Sequence, residues 1–150
     1  MSPDSTGATA AGDGESTIGA EALTRAFAGA TNALIVQRDA LNAINVFPVP
    51  DGDTGTNVSL TMTNANDAVI KCQAGPEPTT LAAIAKAAAN GALMGARGNS
   101  GVILSQILTG FAAFDAGVTA LDGSALADGF ERGRSAAYAV ISKPREGTIL

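Results

Sequence analysis

Large apolar side chains recur along this chain at helical spacing in five separate stretches. Leu23, Phe27, Ala30, Leu34 and Leu41 form the first stripe and predict a helix from about Gly19 to Ala43. The segment Asn45-Val46-Phe47-Pro48-Val49-Pro50 breaks it, because each proline bars a continuing helix and pushes its predecessor extended. Val58, Met62, Ala65 and Val69 mark a second helical face, which the Gly-Pro-Glu-Pro loop at 75–78 ends. Thr79 or Thr80 can cap a third helix with the stripe Leu81, Ile84, Ala85, Ala88 and Ala92. Leu104, Ile107, Leu108, Phe111 and Phe114 mark a fourth. Leu126, Phe130, Gly133, Ala137 and Ile141 mark a fifth, from about Ser124 to Ile141. No stretch reads convincingly as a strand and no internal repeat occurs. The expected fold class is all-α.

Residues 1–17 carry Ser, Thr, Gly, Ala, Asp and Glu with one Pro but no large apolar side chain beyond Met1, and are expected to form a disordered arm ahead of one domain at 18–150. The last residues, Lys143 to Leu150, read as a loop entering a further helix, as expected for a piece of something longer.

Composition narrows the core and the partners. The chain is 46% hydrophobic but 4% aromatic, with no Trp, so Ala, Leu, Ile and Val must build the core. Small side chains favour helices packed at close range. Net charge is −5 and Lys and Arg are nowhere clustered, which argues against a nucleic-acid or anionic-membrane surface. The single Cys72 cannot pair within the chain and fits a reducing compartment. No apolar run reaches the roughly 18 residues of a membrane span, and the N-terminus lacks the basic and apolar regions of a secretory signal. A cytoplasmic location is expected. The chain has no His, which removes the commonest general base and metal ligand. Chemistry on this chain must rest on carboxylates, hydroxyls and bound metal, or on a residue from a partner.

Two motifs carry such chemistry. In Pro50-Asp51-Gly52-Asp53-Thr54-Gly55-Thr56-Asn57, two carboxylates flank a glycine just before a helix. That spacing can aim both at one cation, and Mg²⁺ takes one or two carboxylates while leaving places for water and phosphate. A Ca²⁺ loop of the EF-hand type fits poorly, since the sixth position from Asp51 is Thr56 and the twelfth is Met62. The same residues would also suit an ordinary solvated turn, with Thr56 or Asn57 capping the next helix. The apolar lead-in Val46, Phe47 and Val49 favours the metal reading, because it is expected to pack on the body and hold the carboxylates in place.

The second motif is Gly95-Ala96-Arg97-Gly98-Asn99-Ser100-Gly101, a glycine-rich loop entering an apolar helix. Asn99 or Ser100 is a plausible cap for a helix beginning near Gly101, whose free N–H groups would suit phosphate. The loop is neither a Walker A motif nor a kinase-type Gly-Xaa-Gly-Xaa-Xaa-Gly. A plain helix–helix connection is the alternative. Arg97 suits either a phosphate or a surface salt bridge.

Asn45 through Asn57, followed some forty residues later by Gly95 through Gln106, resembles the DhaL domain. This is the nucleotide-binding domain of dihydroxyacetone kinases, here in the variant seen in bacterial fatty acid kinases. Lys143-Pro144 and Glu146-Gly147-Thr148 look like that family too, and the resemblance covers about residues 20–150. It implies an antiparallel helical barrel with ATP or ADP held at one end through two Mg²⁺ ions. Asp51 and Asp53 would be the Mg²⁺ ligands. A third, earlier Asp completes the cluster in the dihydroxyacetone branch; its nearest match here is Asn45, offset by one residue. Thr54 stands where that branch has His, which fits the fatty acid kinase variant. The nucleotide contacts carried over are Thr54, Gly55, Thr56, Asn57, Gly95, Ala96, Arg97, Gly98, Asn99, Ser100 and Gly101. Arg145 departs from the small apolar residue expected there.

The resemblance also explains the missing His. The acceptor is expected on a partner, either a DegV-type fatty acid-binding protein or a dihydroxyacetone-binding subunit, with this chain as the phosphoryl-donor end. Such catalysis is positioning plus charge neutralisation by metal. Two other readings stand beside the kinase: a subunit that keeps ADP as a cofactor and relays phosphate, and a regulatory module that retains the fold without turnover. The barrel's last helices would lie beyond Leu150, as would any homodimer contact, so apolar surface is expected on the part in hand.

Overall fold

The computed structural model of the chain describes residues 16–46, 49–141, 143–144 and 149. The expected arm lies almost wholly outside the described residues, as do Phe47, Pro48 and the segment 145–148. The fold is predominantly all-α, as the spacing predicts. Among the described residues five helices follow one another: α1 (Ala20–Ala43), α2 (Thr54–Gln73), α3 (Leu81–Gly95), α4 (Gly98–Phe111) and α5 (Gly123–Val140). The sequence shows no convincing strand, yet one short pairing exists. β1 (Ile18–Gly19) and β2 (Ala120–Leu121) pair antiparallel, Ile18 opposite Leu121, and tie the start of α1 to the loop before α5. Four residues are too few for alternation to show.

Helix α2 is the centre of the fold and packs on α1, α3 and α4, while α5 packs on α4. The predicted stripes of α2 and α3 are buried: Val58, Met62, Ala65 and Val69 on one, Leu81, Ile84, Ala85, Ala88 and Ala92 on the other. Thr80 starts α3 by accepting from Ala83 N–H at 3.1 Å, which satisfies one of the orphan donors of the first turn.

The other stripes are corrected. In α1 the buried positions are Leu23, Phe27 and Thr31, whereas Ala30 is exposed and Leu34 and Leu41 are half-buried. The Thr31 hydroxyl is 2.8 Å from Phe27 O and 3.2 Å from Met62 O, so a polar side chain bridges α1 to α2. Helix α4 ends at Phe111, so Phe114 lies beyond it and meets Phe111 edge-on at 6.5 Å. In α5 the buried residues are Gly129, Gly133 and Ala137, and Phe130 is 61% exposed. The stripe is small because the two backbones nearly touch: a Cβ on Gly110 would sit 2.4 Å from Arg132 O, and one on Gly133 would sit 2.7 Å from Ile107 O.

Apolar side chains also face outward, among them Ile35, Leu60, Ile70 and Met94. The described ion pairs are all exposed. On α5, the hydrogen bond from Arg134 holds the Glu131 carboxyl below its ordinary range, a surface effect of little weight for the fold.

Candidate functional site

The two motifs meet where α2 and α4 begin. Gly52 takes φ +67° in the turn between the two aspartates, the left-handed region that a Cβ disfavours, and this bends the chain into α2. Asp53 is the first flanking residue of α2, but its carboxylate makes no cap. The caps come from the end of α1. Asn45 Oδ1 accepts from Asp53 N–H at 3.2 Å, Thr54 N–H at 3.1 Å and the Thr54 hydroxyl at 2.8 Å. Asn45 Nδ2 donates to Val49 O at 3.0 Å, across the turn's lead-in. Asn42 Oδ1 accepts from Thr56 N–H, and its Nδ2 donates to the Thr56 hydroxyl, both at 3.0 Å.

These bonds revise two expectations. Val46 and Val49 are 73% and 59% exposed, so the lead-in's described apolar residues do not pack the turn against the body. Hydrogen bonds from Asn42 and Asn45 fix it instead. The Asn45 oxygen already accepts three bonds, which leaves the carboxylates as the open oxygen donors of the turn. Thr56 and Asn57 are not caps either, because α2 begins at Thr54. Asp51 and Asp53 are exposed, and among the described residues neither side-chain carboxylate joins a hydrogen bond or an ion pair.

Helix α4 begins three residues earlier than expected, at Gly98, with Arg97 rather than Asn99 or Ser100 as its flanking residue. No side chain caps it. The first helical bond there is Gly101 N–H to Arg97 O at 3.0 Å, so the N–H groups of Gly98, Asn99 and Ser100 have no partner within the helix. Gly98 takes φ +59° and lies under Asn57, for a Cβ on it would be 2.3 Å from Asn57 Nδ2. Asn57 in turn stands one helical turn after Asp53, to whose carbonyl it donates its N–H at 2.8 Å. Its half-buried carboxamide makes no hydrogen bond among the described residues. Asn57 therefore links the aspartate turn to the open end of α4.

The remaining motif residues have structural tasks. Gly55, Gly95 and Gly101 are buried; added Cβ atoms would meet Arg38 O at 2.1 Å, Asn64 Cγ at 2.3 Å and Thr61 Oγ1 at 2.5 Å, respectively. Gly95 is the last residue of α3 rather than part of a loop, and Ala96 and Arg97 alone join α3 to α4. Arg97 N–H reaches Thr61 Oγ1 at 3.4 Å, while its exposed side chain joins no ion pair among the described residues. Asn42 is the site residue that the sequence reading missed. Its signal was weak, since a cap fourteen residues ahead of its target matches no local capping pattern.

Chemically, this is a ledge with two halves. Among the described residues one offers two carboxylates without partners, the other three amides without partners at a helix end whose partial charge is positive. Among the described residues no group of three or more His, Cys, Asp or Glu could hold a metal, so a closed protein cage is absent. Two carboxylates with open neighbouring positions fit Mg²⁺, which completes its shell with water and phosphate oxygen. Two surface concavities, of about 230 and 260 Å³, lie elsewhere: between α4 and α5 around Phe130 and Tyr138, and between α1 and α2 around Ile35 and Thr63. Neither includes Asp51, Asp53 or Gly98.

The family model of the DAK2 domain matches residues 48–150, a span that holds both motifs. The chain belongs to the DAK2 domain family. DAK2 domains are nucleotide-binding modules of the dihydroxyacetone kinase family. Uncharacterized proteins of Staphylococcus aureus strains USA300, NCTC 8325 / PS 47 and N315 are each 44% identical to this DAK2 chain over 112 residues. The match takes in 75% of this chain and 20% of each relative, so the chain spans about a fifth of their length. No helix among the described residues is long and apolar enough to cross a membrane.

Proposed function

We propose that this DAK2 domain is the Mg²⁺–nucleotide end of a kinase whose acceptor is presented by a partner. The observation that carries the reading is the juxtaposition at Asn57: two unpaired carboxylates on one side, an uncapped helix terminus on the other. Asp51 and Asp53 would hold Mg²⁺. The N–H groups of Gly98, Asn99 and Ser100 would bind phosphate oxygens, with Arg97 and the Asn57 carboxamide beside them. Bound metal would supply charge neutralisation for the phosphoryl group, and the chain's own residues would fix its direction.

The acceptor we favour is a fatty acid on a DegV-type binding protein, with dihydroxyacetone on its own subunit second. Thr54 supports this order, since the dihydroxyacetone branch has His at that place. The openness of the ledge supports delivery by a partner, and the absence of His leaves no imidazole base on the chain.

Thermal shift tests the reading in the full chain, with ATP or ADP, with and without Mg²⁺. At a hundredfold excess over Kd, a ligand stabilises by about 2.7 kcal/mol, or roughly 5–10 °C for a domain of this size. That shift should require Mg²⁺ and vanish in Asp51→Asn and Asp53→Asn. No Mg²⁺-dependent shift in the wild type would sink the proposal, and a shift that survives both substitutions would acquit the carboxylates. ADP retained through purification, with phosphate exchange but no ATP turnover, would move the reading to a phosphorelay subunit.

A further inference from the structure

We propose that Asn42 and Asn45 are positioning residues that preset the Mg²⁺ turn and reserve the α4 terminus for the phosphates; this rests on the Mg²⁺–nucleotide reading above. Two helices begin at the ledge with the same intrinsic pull on anions, yet their ends are treated differently. At α2 the N–H groups of Asp53, Thr54 and Thr56 are all taken by the two asparagine oxygens. At α4 no side chain occupies the first N–H groups. Of the first N–H groups of α2 only that of buried Gly55 is left over, whereas α4 presents those of Gly98, Asn99 and Ser100.

The same bonds set the carboxylates. Among the described residues the carboxylates of Asp51 and Asp53 make no hydrogen bond or ion pair that would hold them, and Gly52 between them lacks a side chain to restrict the turn. What fixes the turn is Asn45, which grips Asp53 N–H on one side and Val49 O on the other. It spans the lead-in and the start of α2 in one side chain. Asn42 anchors the next half-turn through both atoms of its carboxamide. Losing Asn45 would free the turn to sample geometries in which the carboxylates diverge. It would also open N–H groups beside them that compete for phosphate.

The test is a Mg²⁺ titration at fixed ADP in the full chain, read by thermal shift and by a fluorescent ADP analogue. Asn45→Ala should raise the Mg²⁺ concentration for half-saturation by about tenfold, the usual effect of removing a group that orients a metal ligand. Asn45→Asp keeps an acceptor for Asp53 and Thr54 N–H and should return the value towards wild type. Thr80→Ala removes an ordinary helix cap on α3 and serves as the structural control. It should cost comparable stability without moving the Mg²⁺ midpoint.

If Asn45→Ala and Thr80→Ala behave alike, the asparagines are only caps and the inference falls while the nucleotide reading stands. If the wild type shows no Mg²⁺-dependent binding, both fall. Should Asn45→Ala fail to fold, Asn42→Ala, which loses only the Thr56 contacts, is judged by the same criterion.

Discussion

Gly98→Ala probes the joint between the two halves of the ledge. The residue sits at φ +59°, where an L side chain costs about 1–2 kcal/mol. Its new Cβ would stand 2.3 Å from Asn57 Nδ2 and 3.0 Å from Asn57 Cγ. The carboxamide is the far end of a half-buried side chain, so it can swing aside at about 0.5–1.5 kcal/mol for leaving its rotamer. Together these give a loss of about 1.5–3.5 kcal/mol, or a melting temperature lower by roughly 3–14 °C. The parts separate in a double-mutant cycle with Asn57→Ala. Removing the carboxamide should abolish the steric share and leave the backbone share. Gly117→Ala, at a glycine of ordinary φ with open space around it, should cost nothing. Differential scanning calorimetry with and without Mg²⁺ and ADP reads the four proteins of the cycle and the Gly117→Ala control. A Gly98→Ala protein as stable as wild type would refute the left-handed start of α4. A cycle with no coupling would refute the contact that joins the motifs.

Two stability predictions test the frame around the site. Gly29 lies exposed in α1 with no atom within 4 Å of an added Cβ, so Gly29→Ala should stabilise by about 0.8–1 kcal/mol and raise the melting temperature; an unchanged or lower value would place Gly29 outside a regular helix. Ile84 is fully buried in the first turn of α3, so Ile84→Ala should cost about 2–5 kcal/mol, seen as a lower urea midpoint at constant slope; a loss below that range would mean that α3 is not at the core.

Helices whose buried face is built from apolar volume were legible before any coordinates. The α2 and α3 stripes run through Val58, Met62, Ile84 and Ala88 as their spacing says. Where the contact is made by removing side chains, the same signal misleads. Phe130 carries the volume on α5 but is mostly exposed, while Gly133 carries the contact because α4 passes at backbone distance, and Gly129 makes room for the Phe111 ring. Thr31 misleads in the other direction: a hydroxyl that bonds Phe27 O within its own helix can be buried at little cost. The chemistry of the site, two carboxylates and a glycine loop, was equally open to reading. Its support was not, since the groups that hold Asp53 and Thr56 sit eight and fourteen residues earlier in the chain.

The two helix ends explain why so little chemistry need reside on this chain. A cation and an anion that travel together require a site of mixed sign, and mixed sign normally collapses into an internal salt bridge. Here the motif that carries Asp51 and Asp53 meets the one that carries Arg97 at Asn57, yet the described ion pairs lie elsewhere, between Glu21 and Arg25, Arg38 and Asp39, and Glu131 and Arg134. The turn is tied down by neutral carboxamides rather than by a cation, so its carboxylates stay free. The α4 terminus is positive by its backbone rather than by a lysine, so its donors cannot swing across to neutralise the aspartates. Neutral groups that orient, and charged groups left unpaired, preserve the separation of sign that a metal-bound phosphate would fill.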